Sequence, residues 1–384
     1  MAPAPTSTVP GRLLFAVHSA KRGGAQLVAL GQARALAERY ELVIAIEDGP
    51  LRDDFAALGD VVDGPPRLPV WGASPARWAL QSGRSATDAA RLARVIRARR
   101  LDAVVTNSST AVSPVLGARL ARVPALVQVQ EGPSLQGAGA LLALHRRLAR
   151  TVVVISPTLA QAAGRGGGAR VVVNPVGIAV GPAPPARAPR RAGDPFEVLV
   201  VASLDRNKGQ DVAVRALARL VTEGVDATLT LAGPPADPEF AAEVEALAAA
   251  LGVADRVALL GPRAGVRELM RGAGALVVAS RAELTPLVLM EALAERAPVV
   301  ATRVGGVPDI VQDGRTGLLV ASEDDVALAA ALARLARDPE LADRLAGAGR
   351  RHVEERFDER DAHARLGREV ALLLGIAADS GEPR

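Results

Sequence analysis

The sequence contains no cysteine, and aromatic side chains make up only 2% of its 384 residues. A chain without cysteine forms no disulfide, no thiolate metal site and no cysteine nucleophile, which fits a reducing compartment. Lysine is almost absent as well, since Lys21 and Lys208 are the only two. The net charge is +4. With so small an excess of positive charge and few aromatic rings to stack on bases, no nucleic-acid partner is expected.

Long apolar runs and metal-binding patterns are also missing. No stretch of about 20 apolar residues occurs, so no segment is expected to span a bilayer. Residues 1–10 lack the charged-then-apolar order of a signal peptide, and we therefore expect a cytoplasmic protein. Arginine-rich stretches at 91–100 and 145–150 leave open a peripheral contact at the inner face of the membrane, although solvated helix faces are the simpler interpretation. No Asp-x-Asp occurs and no His/Asp/Glu cluster has metal-ligand spacing, so no metal site is expected.

Short runs of Val, Leu and Ile alternate with longer Ala/Leu/Arg stretches of helical period in the first half of the chain. This rhythm predicts strands at 12–17, 41–46, 103–106, 125–129, 152–155 and 170–173. It predicts helices between several of them, including 25–39, 87–99 and 110–122. Strands that are apolar throughout are buried on both faces, and intervening helices imply parallel pairing. The first half is therefore predicted to be a doubly wound α/β domain.

Residues 181–195 contain five prolines, which indicates a linker. After them the same rhythm predicts strands at 197–202, 228–232, 256–260, 275–279, 299–301 and 317–320, and then a helical tail with breaks near Asp338 and Asp358. We expect an N-terminal domain over 1–180, the linker over 181–195, a C-terminal domain over 196–357, and a helix over 358–384 that returns to the first domain. Two such domains would bind a ligand in the cleft faced by the carboxyl ends of their strands.

Two loops between predicted strands and helices have features that suit an anion. In one, Arg206 and Lys208 precede Gly209 and a helix start, where backbone N–H groups and two cations favour a diphosphate. Lysine is a compact point charge, and one of the only two in the chain lies here. In the other, Gly23 and Gly24 follow the first strand and allow the backbone to approach a ligand closely. Taken alone, either loop is also compatible with an ordinary solvated turn.

Two carboxylates stand eight residues apart in the second half, Glu283 and Glu291. Pro286 favours a helix start near Leu287, which places Glu283 in a loop and Glu291 about one turn inside the helix. Glu291 is flanked by apolar residues, where an unpaired carboxylate is costly. Because carboxylates accept hydrogen bonds from hydroxyl groups, these two residues are candidates to hold sugar and ribose hydroxyls.

The run from Glu283 to Val320 resembles the nucleotide-sugar-binding region of glycosyltransferase family 4, a large retaining family with two Rossmann-like domains in the GT-B architecture. The residues that carry the resemblance are Glu283, Glu291, Pro298-Val299-Val300, Gly305-Gly306 and residues 317–320. Further matches are Gly23-Gly24-Ala25, Lys208-Gly209, Leu231-Ala232-Gly233 and Leu260-Gly261. Together they cover essentially the whole chain.

The resemblance implies a role for each matching residue. Glu283 would face the hydroxyls of the donor sugar, and Lys208 would contact the diphosphate, so that these two carry the catalysis. Other residues implied in donor binding are Gly24, Gly261, Arg263, Thr285, Pro286, Leu287 and Glu291. The implied reaction is a retaining, metal-independent hexosyl transfer without a cofactor, from a UDP- or GDP-sugar to a glycan, a lipid-linked sugar or a small molecule.

The sequence departs from the family pattern at two places. Ser203 stands where the family usually has an arginine, and Arg206 is a candidate replacement in the donor site. Gln130 and Glu131 stand where the family has a histidine, which leaves the acceptor side unassigned. Of the histidines present, His18 is expected to be an incidental loop residue, and the histidine at 145 a solvated helix residue.

Two other functions stay open from the sequence. One is a nucleotide-sugar epimerase of the same architecture, which would need acid and base residues in the cleft and no acceptor. The other is a catalytically silent protein that binds a sugar nucleotide, which is compatible with the missing arginine and histidine.

Overall fold

The structure of the protein is a computed structural model that describes residues 11–65, 75–130, 138–163, 168–185 and 193–376. The chain divides into two compact units, one formed by residues 1–177 and 359–384 and the other by residues 178–358. We call them unit 1 and unit 2. Part of the predicted linker, residues 186–192, and the acceptor-side candidate Glu131 lie outside the described residues.

Unit 1 is built on a parallel sheet with the order β3-β2-β1-β4-β5-β6-β7 in the described part of the chain. Its strands are β1 (Arg12–Ala16), β2 (Glu41–Ile46), β3 (Asp60–Asp63), β4 (Ala103–Thr106), β5 (Ala125–Val129), β6 (Thr151–Val154) and β7 (Arg170–Val173). Its helices are α1 (Gly24–Ala37), α2 (Arg52–Ala56), α3 (Pro75–Ala98), α4 (Ser113–Ala121), α5 (Ala138–Leu148), α6 (Pro157–Ala162) and α14 (Glu359–Leu374). The strand order reverses between β1 and β4, which makes the carboxyl ends of these two strands the switch point of the sheet.

The two faces of this sheet bury two separate cores. Leu13 and Phe15 of β1 pack with residues of α1 and α14, whereas Leu14 and Ala16 pack with residues of α3, α4 and α5. Successive side chains of a strand point to opposite faces, so an apolar run supplies both cores at once. The continuous apolar strands of the sequence follow from this double burial.

Helix α14 belongs to unit 1 although it follows unit 2 in the chain. Its Leu366 and Val370 are buried in the same core as α1. On β7, Arg170 forms an ion pair of 2.6 Å with Glu369 of α14, whose side chain is only 9% exposed. Within the described residues, no helix is long and apolar enough to cross a membrane.

Unit 2 repeats the design with the strand order β10-β9-β8-β11-β12-β13, all parallel. Its strands are β8 (Phe196–Val201), β9 (Ala227–Ala232), β10 (Val257–Gly261), β11 (Ala275–Val278), β12 (Val299–Thr302) and β13 (Leu318–Val320). Its helices are α7 (Gln210–Thr222), α8 (Pro238–Ala250), α9 (Val266–Gly272), α10 (Leu287–Ala294), α11 (Val307–Ile310), α12 (Asp325–Arg337) and α13 (Pro339–Arg356). Here the order reverses between β8 and β11.

The predicted fold class, two doubly wound parallel-sheet domains, is confirmed. Each strand predicted from the sequence is present with its ends shifted by at most one residue. Strand β3 was not predicted, because its two valines stand between Asp60 and Asp63 and it pairs only with β2 at the edge of the sheet. Helix α3 begins at Pro75, well before the predicted start at 87.

Candidate active site

The switch point of unit 2 brings together two loops that are far apart in sequence. The loop after β8 carries Ser203, Arg206 and Lys208, and the loop after β11 carries Glu283. In doubly wound sheets, ligands bind outside the carboxyl ends of the strands at such a reversal. The candidate catalytic pair therefore lies where the topology favours a binding site.

Lys208 and Glu283 form an ion pair, with 2.7 Å between Nζ and Oε1. The side chains are 27% and 11% exposed, so the pair is partly withdrawn from water. The hydroxyl of Ser280 donates a second hydrogen bond, of 2.8 Å, to the same Oε1. Among the residues that the structure describes, no donor contacts Oε2 of Glu283. This oxygen is therefore available to accept a hydrogen bond from a ligand hydroxyl.

The backbone of Glu283 rests directly against the paired glycines after β12. A β-carbon at position 305 would stand 1.6 Å from the carbonyl oxygen of Glu283, and one at position 306 would stand 1.9 Å from that of Leu284. Gly305 also has a φ of +49°, in the left-handed region that favours glycine. The backbone N–H of Gly306 donates to the Glu283 carbonyl at 3.2 Å. Gly305 and Gly306 thus let the loop after β12 pack directly against the backbone of the Glu283 loop.

The Lys208 loop is held by side-chain bonds of its own. Asp205 accepts from the backbone N–H of Asn207 at 3.0 Å and from the Ser203 hydroxyl at 2.7 Å. The Asn207 amide in turn donates to the carbonyl of Ala282 at 2.9 Å, which ties this loop to the one that carries Glu283. Ser203 therefore acts on the loop through Asp205 in this structure.

Arg281 fastens the same two loops together and was not identified from the sequence. Its backbone N–H donates to Asn207 O at 2.7 Å, and its guanidinium binds Asp211 of α7 at 2.9 Å. Burial by itself would raise the pKa of Asp211, but hydrogen bonds from Arg281 and Arg215 outweigh that effect and lower it. The only sequence signal was its position directly between Ser280 and the Glu283 loop.

Arg206 makes its contacts with α8. Its guanidinium pairs with Glu243 at 2.5 Å and lies over the Phe240 ring, 5.3 Å from the ring centroid. Within the described residues, no hydrogen bond or ion pair joins the Arg206 side chain to Lys208 or Glu283. That Arg206 replaces the arginine missing at Ser203 stays a prediction, and its guanidinium would have to leave Glu243 to reach a diphosphate.

Helix α10 presents backbone N–H groups beside the Glu283 loop. It begins after Pro286 without a side-chain cap, as the position of this proline predicts. Helices leave their first N–H groups without intrahelical partners, and such groups bind anions. Thr285, Pro286 and Leu287 surround this helix start.

Glu291 lies on α10 and is half-buried. Burial raises its pKa, an effect that Arg267 opposes and Glu295 reinforces. Glu295 is itself only 6% exposed and forms ion pairs with Arg271 at 2.6 Å and with Arg267 at 3.2 Å. Within the described residues, the Glu291 carboxylate forms no ion pair or hydrogen bond, whereas the neighbouring Glu295 carboxylate is paired with two arginines.

The remaining candidates of unit 2 lie at the end of β10. Gly261 has a φ of +65° and its carbonyl accepts from the backbone N–H of Gly233 at 3.0 Å. Arg263 follows it and is exposed. No carboxylate in the described part of the chain pairs with Arg263.

In unit 1, the carboxyl ends of β1 and β4 are joined by a short chain of hydrogen bonds. Nδ1–H of His18 donates to Oδ1 of Asn107 at 3.1 Å, and the Gln26 amide donates to Nε2 of His18 at 2.9 Å. These bonds correspond to the neutral ring with its proton on Nδ1. Helix α1 begins nearby after Gly23, without a side-chain cap, and Gly24 is exposed.

Both expectations for the histidines are corrected by the structure. His145 is fully buried, with Nε2–H donating to the Ser109 carbonyl at 2.7 Å, so its prediction as a solvated residue was wrong. His18 was expected to be an incidental loop residue, but its ring is held at the switch point of unit 1 by hydrogen bonds with Asn107 and Gln26. One feature of the sequence could have indicated a buried polar site here: the polar run Asn107–Thr110 directly follows a buried strand. All four residues of this run are buried. Gln130 is half-buried at the end of the described segment that precedes Glu131.

Among the described residues, no group of three or more His, Cys, Asp or Glu side chains is placed to hold a metal ion.

Both halves of the chain match family models of glycosyltransferases. The family model "Glycosyl transferases group 1" matches residues 186–352, and the "Glycosyl transferase 4-like domain" model matches residues 23–177. The crystal structure of Anabaena HepE in complex with UDP superimposes with a TM-score of 0.76 over 94% of this chain and 100% of that one, at 21% identity. The fold is thus a pair of Rossmann-like domains of the GT-B architecture. The chain belongs to the GT-B glycosyltransferases of the family 4 type.

Two curated relatives are similar over part of their length. The D-inositol 3-phosphate glycosyltransferase of Acidothermus cellulolyticus is 40% identical over 189 residues, which are 45% of this chain and 41% of the relative. The N-acetyl-alpha-D-glucosaminyl L-malate synthase of Bacillus anthracis is 39% identical over 148 residues, 38% of each chain. The matches thus span about two fifths of the length of these relatives.

Proposed function

We propose that this protein is a glycosyltransferase that moves a sugar from a nucleotide-sugar donor to a hydroxyl group of an acceptor, with retention at the anomeric carbon and without a bound metal ion. The observation that carries the proposal is the Lys208–Glu283 pair at the switch point of unit 2. A cation for the diphosphate and a carboxylate oxygen for the sugar stand side by side there.

In this proposal each side chain acts on one part of the donor. Oε2 of Glu283 accepts a hydrogen bond from a sugar hydroxyl, and Glu291 accepts from the ribose. Lys208 and the uncapped start of α10 bind the diphosphate, where helix N–H groups and an ammonium stabilise negative charge. Arg263 and the backbone at Gly261 border the base. In unit 1, Gly24 stands at the uncapped start of α1, whose N–H groups are also proposed to bind an anionic group.

The reaction breaks the bond between the anomeric carbon and the diphosphate oxygen, and the bonding electrons leave with the diphosphate. An acceptor hydroxyl attacks from the same face of the oxocarbenium-like sugar, and its proton passes to the departing phosphate oxygen. Charge accumulates on the diphosphate as the bond breaks, so preorganised N–H groups and Lys208 stabilise the transition state more than the bound donor. That difference supplies the catalysis without a metal.

The acceptor is proposed to be a small hydroxyl compound that carries negative charge. This rests on the names of the two relatives, one for an inositol phosphate and the other for malate. The donor is proposed to be a UDP-sugar, since the similar HepE structures contain UDP or UDP-glucose.

The proposal is tested by measuring nucleoside diphosphate release from UDP-glucose, UDP-N-acetylglucosamine and GDP-mannose, each with inositol 3-phosphate, L-malate or no acceptor. We expect release that depends on one acceptor and is unchanged by EDTA. NMR of the product should show the anomeric configuration of the donor. Donor interconversion without an acceptor would indicate an epimerase, and binding without turnover a silent protein.

A further inference from the structure

Unit 1 has an open cavity of about 760 Å³ at the edge of its sheet where the strands begin. Its walls are the segments that lead from α4 into β5 and from α5 into β6, with Gly168 before β7. Parallel strands begin at one edge of a sheet and end at the other. The cavity therefore lies at the opposite edge from His18 and Gly24, and it shares no residue with the proposed transfer site.

Four arginines line this cavity: Arg119, Arg122, Arg147 and Arg150. Their side chains have no ion pair with any carboxylate in the described part of the chain, and none of the four donates a side-chain hydrogen bond there. The sequence explains this isolation, since residues 103–168 hold six arginines and a single acid. Four guanidinium groups thus share one concave site, and no carboxylate of the described residues neutralises them.

The other half of the same edge shows that such isolation is not general. Arg12 pairs with Glu41 at 2.5 Å, and Arg99 forms an ion pair with Asp60. The negative end of a helix dipole can stabilise only two of the four arginines. These are Arg119 and Arg147, which stand in the last turns of α4 and α5. The remaining two arginines lie beyond the helix ends.

We propose that this cavity binds a small ligand that carries two or more phosphate groups. Guanidinium forks match phosphate oxygens in bidentate pairs, and several phosphates would relieve the repulsion among the four cations. The volume is that of a small-molecule site. None of the lining residues is aromatic, so the cavity offers no ring on which the bases of a nucleic acid would stack. The phosphates belong either to a free polyphosphorylated compound or to a lipid headgroup.

Calorimetric titration with inorganic tripolyphosphate tests the proposal independently of sugar transfer. The double variant Arg122→Gln/Arg150→Gln should bind it at least about tenfold more weakly, since each charge-assisted hydrogen bond is worth about 10–150-fold in affinity. The matched control Arg34→Gln/Arg368→Gln removes the same charge from exposed positions on α1 and α14, which cover the opposite face of the sheet. It should bind like wild type. Repeating the titrations with Lys208→Ala separates binding at the proposed donor site.

Vesicles distinguish the two sources of phosphate. Cosedimentation with vesicles that contain phosphatidylinositol 4,5-bisphosphate, if it is absent with phosphatidylcholine alone, lost in the Arg122/Arg150 variant and reversed by tripolyphosphate, would assign the site to a lipid headgroup. Tripolyphosphate binding without cosedimentation would assign it to a free compound. Equal weakening in the control, no binding of either probe, or binding of single-stranded oligonucleotide alone would each overturn the proposal.

Discussion

Nζ of Lys208 lies 2.7 Å from Oε1 of Glu283, although 75 positions separate the two residues in the chain. One carboxylate oxygen accepts hydrogen bonds from this ammonium and from the Ser280 hydroxyl, and the other accepts none from the residues that the structure describes. Substitutions at four positions test this pair and the groups around it.

Glu283→Gln should fold normally and lose most of its transfer activity. The amide keeps the shape of the side chain but removes a charged acceptor, worth about 1.5–3 kcal/mol of transition-state stabilisation, or about 10–150-fold in kcat/KM. Glu223→Gln, at a half-exposed position of the same unit, is the control. Full turnover by a well-folded Glu283→Gln would remove this residue from the site.

Lys208→Ala should lower the affinity for a nucleoside diphosphate by about 10–150-fold. It should lower the affinity for the bare nucleoside only slightly, because the nucleoside lacks the phosphates. Calorimetric titration of UDP and uridine provides the comparison. Arg337→Ala, at an exposed position of the same unit that pairs with Glu223, is the matched cationic control and should leave UDP affinity nearly unchanged. Arg206→Ala should show the Lys208→Ala pattern more weakly if this arginine replaces the one missing at Ser203. Equal weakening of both ligands by Lys208→Ala would mean that this lysine supports the fold or the base pocket.

Gly305→Ala should destabilise unit 2 and displace the Glu283 loop. The added β-carbon would clash with the Glu283 carbonyl, and overpacking of this kind costs about 1–3 kcal/mol in the free energy of unfolding. Gly314 has a similarly positive φ, of +70°, and a β-carbon added there would have nothing within 4 Å. Gly314→Ala therefore measures the cost of placing alanine in this backbone conformation without a clash. Chemical denaturation and UDP titration measure both effects. Equal effects of the two variants would mean that the close packing of Gly305 on the Glu283 carbonyl does not position Glu283.

Glu291→Gln should raise the melting temperature of the ligand-free protein at pH 8 more than at pH 4. The folded-state pKa of Glu291 lies above its unfolded value, so its contribution to stability is greatest below the ordinary pKa of a glutamate and is lost as the pH rises through the raised value. A neutral glutamine avoids that loss. Glu245→Gln, exposed on α8, is the control for a change of net charge.

Glu291→Gln should also lower the affinity for uridine and for UDP to a similar extent, because the ribose is common to both ligands. This pattern contrasts with the phosphate-dependent pattern expected of Lys208→Ala. A loss confined to UDP would contradict the assignment of Glu291 to the ribose.

The strands and their parallel pairing were predictable because they depend on local pattern. A strand buried on both faces must be apolar throughout, and each predicted strand is found within one residue of its place. The short edge strand Asp60–Asp63 was not predicted, since an edge strand needs little apolar surface. The break of the helical tail near Asp338 was also local, because the Asp338 side chain caps the next helix and Pro339 follows it.

The sequence by itself determined which residue types stand at the ends of which strands, and hence the candidates Lys208, Glu283 and Glu291. Only the tertiary structure decided their partners: Lys208 binds Glu283, whereas Arg206, two residues earlier, binds Glu243. It also decided that the histidine at position 145 is buried. The physical reason is that side-chain periodicity reports the surroundings of one element, whereas an ion pair depends on which strands the sheet places side by side.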